Sequence, residues 1–219
     1  AQVAGAIRLS NTFPELVLAV IVGNETQVEW SGHRTAPAVL IAYLREVRAA
    51  IQQPVTTADD LLFWRREDSR RVAAEVDFIT LHLYALWNGR RLDEALTWTG
   101  EGYDLVARLH AGKPVIVGET GWATQRDPRK SKPTEENSLM KAETSVAAQE
   151  AYLRQHYRWL QSRKVVTFLF EAFDEPWKGS GPAGSQVEAE KHWGVFDEHR
   201  RPKASFEAVI REFHPPAPR

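Results

Sequence analysis

Short apolar runs alternate with longer stretches whose apolar residues recur every three or four positions, and this alternation continues from residue 17 to the end of the chain. Val17 to Val22, Phe78 to Tyr84, Pro114 to Val117 and Val165 to Phe170 are rich in Val, Ile, Leu and Phe, Val55 to Ala58 reads Val-Thr-Thr-Ala, and all are short enough to be strands. The first is followed by Pro37 to Gln52, where Leu40, Leu44, Val47 and Ile51 fall on one helical stripe and Pro37 suits a first turn. A weaker helix is expected around Asp68 to Glu75, with further helical spacing toward Tyr103 to His110. Ser145 to Arg163 places Tyr152, His156 and Trp159 on one face, and a terminal helix is expected from about Lys203 to Phe213. Ala4 to Thr12 reads as the end of a helix, so any export signal would lie upstream of Ala1.

A strand-then-helix succession predicts an α/β fold of βα units with parallel strands, read as one domain over residues 1–219 with a Pro-rich tail at 215–219. A Gly/Pro/Ser loop from Gly179 to Ser185 and a polar insertion from Gln125 to Thr144 interrupt the rhythm. The insertion reads equally as a wall over a cleft or as a disordered loop.

Charge narrows the ligand class. The 28 Lys and Arg nearly cancel the 29 Asp and Glu, so the chain lacks the electrostatic footprint of a nucleic-acid or anionic-membrane binder. No apolar run approaches the ~20 residues of a membrane span. The absence of cysteine removes disulfides, thiolate metal sites and cysteine nucleophiles, and no His pair sits at metal-ligand spacing. Neither a metal nor a cofactor is therefore expected. Eight Trp supply either core volume or flat platforms for sugar faces. Trp159 fits the core, while Trp87, Trp98 and Trp177 fit either use.

Parallel strands joined by helices form an open sheet or a barrel, and period alone does not separate the two. The chemistry at the strand ends favours a barrel, because four of the five strands run into a carboxylate or a polar aromatic residue where barrel enzymes assemble their sites. Val17 to Val22 leads into Gly23-Asn24-Glu25, and Pro114 to Val117 into Gly118-Glu119-Thr120-Gly121-Trp122. Glycoside cleavage with retention needs two carboxyl groups roughly 5 to 5.5 Å apart, one to protonate the leaving oxygen and one to attack the anomeric carbon. Glu25 and Glu119, about three βα periods of ~30 residues apart, are the candidates. The Asn24 amide is a candidate partner for the sugar 2-hydroxyl.

Four segments carry a resemblance: Val22-Gly23-Asn24-Glu25, Gly118 to Trp122, Phe173-Asp174-Glu175-Pro176-Trp177-Lys178, and Glu190-Lys191-His192-Trp193-Gly194-Val195-Phe196. In order and spacing the chain resembles glycoside hydrolase family 17. That resemblance implies a (β/α)₈ TIM barrel with Glu25 as acid/base at the end of strand 4 and Glu119 as nucleophile at the end of strand 7. Strands 4 to 8 would then be present, and the first three βα units, about 80 residues judged against typical barrel length, would be missing. It makes Glu175, Lys178 and Glu190 supporting charges and Tyr84 a hydrogen-bonding partner of the nucleophile or sugar. Trp122 and Trp193 become candidate stacking platforms. His82 stands where the family usually has Asn and reads as a hydrogen-bonded structural residue.

The implied substrate is a β-1,3-glucan oligosaccharide or polysaccharide, and the implied location periplasmic or extracellular. The wording from Phe170 to Lys178 resembles bacterial members, several of which transfer glucan chains rather than hydrolyse them. Three readings stay open: hydrolase, transglycosylase with the same residues, and a non-catalytic glucan-binding relic. A doubly wound nucleotide enzyme would need a glycine-rich phosphate loop, which neither Gly23 nor Gly118 begins.

Overall fold

The computed structural model describes residues 1–127, 138–178 and 187–214, and these group into two compact units. The first comprises Ala1–Leu83 and Glu101–Gly118, the second Tyr84–Gly100 and Glu119–Arg219. The tail 215–219, the Gly/Pro/Ser loop and the middle of the polar insertion lie outside the described residues.

In the first unit the strands follow the order β1 (Val20–Asn24), β2 (Val55–Asp60), β3 (Ile79–His82) and β4 (Val115–Thr120), the last of which the chain carries into the second unit at Glu119. β1, β2 and β3 pair in parallel. All of β3 and all but the last residue of β2 are buried, as befits central strands covered on both faces. β1 is half exposed, and among the described residues only β2 pairs with it. The register of β1 on β2 slips between Ile21 and Asn24, which pair with Thr56 and Ala58. The extra residue is a bulge that re-aims the strand end, and Gly23 within it has φ +83°, a conformation that favours glycine.

Helix α1 (Gln2–Thr12) is tied down at its end by Asn11, which donates to Ala50 O, and by Gln53, which donates to Ser10 O. Helix α2 (Pro37–Ala50) begins with Pro37, whose missing N–H is no loss in a first turn, and buries Leu40, Leu44 and Val47. Each such side chain contributes about 1.5 to 3 kcal/mol on leaving water. Two short helices, α3 (Leu61–Trp64) and α4 (Ser69–Ala73), follow β2. α3 was not legible in the apolar pattern; Asp60 caps it by accepting from Phe63 N at 3.1 Å, and Trp64 donates from Nε1 to Thr80 O. Helix α5 (Leu92–Leu109) is the one whose spacing runs toward Tyr103 to His110.

In the second unit, helix α6 (Val146–Arg163) is capped by the Ser145 hydroxyl, which accepts from Ala148 N, and stops at left-handed Lys164. Its buried face carries Gln149, Tyr152, Leu153, His156 and Trp159. The Gln149 amide donates to Trp122 O and Gly194 O and accepts from Ser205, so one buried side chain ties three segments together. Strand β5 (Thr167–Leu169) leads to Phe170, whose N–H meets Thr120 O at the end of β4. A 3₁₀ turn (Glu188–Lys191) and helix α7 (Ala204–Phe213) complete the described part, with Glu212 of α7 bonded to Arg154 and Arg158 of α6. Five strands with intervening helices are the α/β class expected of an incomplete barrel. No described helix is long and apolar enough to cross a membrane.

Candidate active site

Glu25 is the first residue past β1 and has left-handed φ of 49°, unusual for a residue with a Cβ. Its N–H donates to Ala58 O at 2.9 Å, so the bulged strand end is held against β2. Its carboxylate Oε1 lies 3.2 Å from Nδ1 of His82, which is buried at the end of β3. Asn24 sits on the exposed end of β1.

Two further carboxylates, Asp59 and Asp60, stand beside Glu25 at the end of β2. Burial pushes both up to about 6; backbone N–H groups pull them partly back, and the nearby Glu25 charge adds to the rise. Their only advance signal was position, directly after the expected strand Val55 to Ala58.

Glu119 lies half-buried near the end of β4 in the second unit. Tyr84, just past β3, donates its hydroxyl to Glu119 Oε2 at 2.6 Å. The Tyr84 ring is held edge-on by Phe170 and Trp193, at centroid distances of 5.8 and 5.3 Å. Next along the chain, Glu171 bonds Lys178 Nζ at 2.8 Å, and Glu175 bonds the same ammonium at 2.5 Å. Lys178 also lies 4.4 Å over the Phe170 ring. Burial pushes the Glu171 carboxyl up to about 7 against the pull of Lys178. For Glu175 and Lys178, shared hydrogen bonds outweigh burial, holding the acid below and the amine above their ordinary values. Glu171 was missed because it sits inside an apolar word, Phe-Leu-Phe-Glu-Ala-Phe, where one acid reads as an outward-facing residue.

Glu190 is half-buried on the 3₁₀ turn. The stacking role expected of Trp122 and Trp193 is corrected. They are 0% and 1% exposed, and the Trp122 ring packs against Tyr152 while that of Trp193 packs against Trp87, Tyr84 and Phe170. Rings spent on packing have no face left for a sugar. Trp177, by contrast, is 70% exposed.

The sequence profile of the family described as the BtgE/BtgC glycoside hydrolase domain matches residues 2–194. A glucan 1,3-beta-glucosidase of Arthroderma benhamiae is 27% identical over 90% of this chain and 64% of its own length. Among solved structures, an endo-laminarinase from Formosa superposes with a TM-score of 0.74 at 25% identity, over 89% of this chain and 58% of that one. The glycoside hydrolase family 17 beta-1,3-glucanosyltransferase from Rhizomucor miehei gives 0.71 at 25% identity over 93% of this chain and 70% of its own. An active-site mutant of the latter has been solved with laminaritriose. The chain thus spans less than two thirds of the Arthroderma relative.

Proposed function

Because this chain belongs to the BtgE/BtgC glycoside hydrolase domain family, we propose that it cleaves β-1,3-glucan with retention, Glu119 serving as nucleophile and Glu25 as acid/base. One observation carries the assignment of the nucleophile. Glu119 is fixed by a short bond from Tyr84, and a hydroxyl donor holds such a carboxylate in one orientation. In the first step a Glu119 oxygen forms a bond to the anomeric carbon as the glycosidic C–O bond breaks, and Glu25 gives its proton to the departing oxygen. In the second, Glu25 takes a proton from the incoming hydroxyl, which attacks the anomeric carbon and frees Glu119. Asn24 bonds the 2-hydroxyl in this reading, and Glu175, Lys178 and Glu190 supply supporting charge. The site of action is periplasmic or extracellular.

Trapping the full-length protein with a 2-fluoro-glucosyl donor, followed by peptide mapping, is expected to label Glu119. Label on another residue overturns the assignment, and glucan binding without any trapping or turnover identifies a binding relic instead.

A second reading is favoured by the Rhizomucor glucanosyltransferase, which matches at the same identity as the laminarinase. There the incoming hydroxyl belongs to a second glucan rather than to water. Incubation with a β-1,3-gluco-oligosaccharide separates the two: products longer than the starting material mean transfer, and only shorter ones mean hydrolysis.

A further inference from the structure

Three contacts fasten the segment around Glu25 to the end of β2 in consecutive steps. Thr57 donates its hydroxyl to Gly23 O at 3.2 Å, Ala58 O accepts from Glu25 N at 2.9 Å, and Asp59 Oδ2 accepts from Gln27 N at 2.9 Å. The first two lie at or before Glu25 and the third beyond it, so the left-handed residue is clamped from both sides. Without such a clamp a non-glycine residue at positive φ relaxes toward the broad β or α regions, and its side chain swings away.

Asp59 is an unusual choice for such a post. It is 0% exposed, and no cation pairs with it among the described residues. Burying an unpaired carboxylate is costly, and its rise to about 6 expresses that cost. The geometry explains why an acid is used. Oδ2 takes the Gln27 N–H while Oδ1 takes the Asp60 N–H at 3.0 Å, so both oxygens must be acceptors. An amide of the same shape offers one acceptor and turns an NH₂ group toward the other N–H.

Resting on the assignment of Glu25 as acid/base, we propose that Asp59 is a positioning residue for the proton donor, holding the Glu25 carboxyl where it meets the leaving oxygen by locking the Gln27 backbone. It touches no substrate. Its loss acts only on steps in which Glu25 must deliver or take a proton, and in kcat/KM on the first of these, whereas a fault in general folding acts on every step alike.

The test compares two substrates on the full-length protein: a laminari-oligosaccharide, whose leaving alcohol needs protonation, and a 2,4-dinitrophenyl β-glucoside, whose phenolate leaves unaided. For Asp59→Asn, kcat/KM on the oligosaccharide is expected to fall roughly 10- to 100-fold, part of the ~10²- to 10⁴-fold that a positioned acid contributes, while the aryl glucoside changes less than about threefold. Equal losses on both substrates, or no loss on either, overturn the proposal. Should Asp59→Asn fail to fold, Thr57→Val removes another clip while keeping the side-chain shape, and the same selective loss is expected at smaller size; its absence likewise overturns the proposal. Glu25→Gln run alongside separates the two layers of argument. Selective loss in Glu25→Gln with none in the clamp variants rejects Asp59 alone. No selective loss in Glu25→Gln rejects the acid/base assignment itself.

Discussion

Replacing Tyr84 with phenylalanine removes one oxygen atom and little else. The ring keeps its edge-on contacts with Phe170 and Trp193, so the packing of the second unit is left in place. What disappears is the 2.6 Å bond to Glu119 Oε2. A hydrogen bond to a charged group is worth about 1.5 to 3 kcal/mol net. At about 1.4 kcal/mol per tenfold in rate, its loss corresponds to roughly a 10- to 150-fold fall if the whole bond serves the reacting carboxylate. Part of that is offset, since a carboxylate freed of its donor is a stronger nucleophile, so the lower end of the range is expected. The assay is kcat/KM on a laminari-oligosaccharide, with a melting curve alongside to show that the fold is intact. A variant melting with the parent and working within threefold of it would refute the argument that this hydroxyl orients the nucleophile.

Other perturbations probe the surroundings. A Cβ at Gly121 would stand 2.1 Å from the carbonyl oxygen of Phe170, a backbone atom that no rotamer change can move, so Gly121→Ala is expected to cost on the order of 3 kcal/mol in a urea melt. Lys178→Met removes the cation shared by Glu171 and Glu175; the Glu171 carboxyl, already pushed up to about 7, is expected to titrate higher still, as read by ¹³C NMR of labelled glutamate. His156 is buried and held down to about 4 from an ordinary 6.5. Below 6.5 the unfolded chain takes up a proton that the folded one refuses, so its contribution is present above pH 6.5 and is lost as pH falls toward 4. At about 1.4 kcal/mol per unit this amounts to roughly 3 kcal/mol, and His156→Phe should flatten that part of the pH dependence of unfolding.

The apolar rhythm located every described strand, even β2, where one Val stands among Thr, Ala and Asp. It also located α2 and α6 closely, since their buried stripes recur without interruption from Leu40 to Val47 and from Tyr152 to Trp159. It misjudged lengths where the register depends on a neighbour. β4 runs on through Glu119 to Thr120, and β1 is bulged, neither of which a one-dimensional pattern encodes. Glu25, Glu119 and Tyr84 stood out because each follows a strand in a distinctive word. Asp59 and Asp60 close β2 but belong to no distinctive word, and only the backbone N–H groups that meet Asp59 give it a role. Trp122 and Trp193 show the reverse: a large ring beside a polar motif serves equally as platform or filler, and the tertiary packing that decides between them is not written locally.

The path of the backbone has a consequence for anyone who wishes to dissect the protein. It passes from one unit to the other after Leu83, after Gly100 and again after Gly118. No single cleavage therefore releases either unit whole, because a truncation ending anywhere before residue 115 withholds from the first unit its whole share of β4. On the ribosome the same order means that the first unit waits for its last piece until the residue just ahead of Glu119 has emerged. Limited proteolysis should accordingly yield nicked, still-associated species or complete digestion, but no stable half.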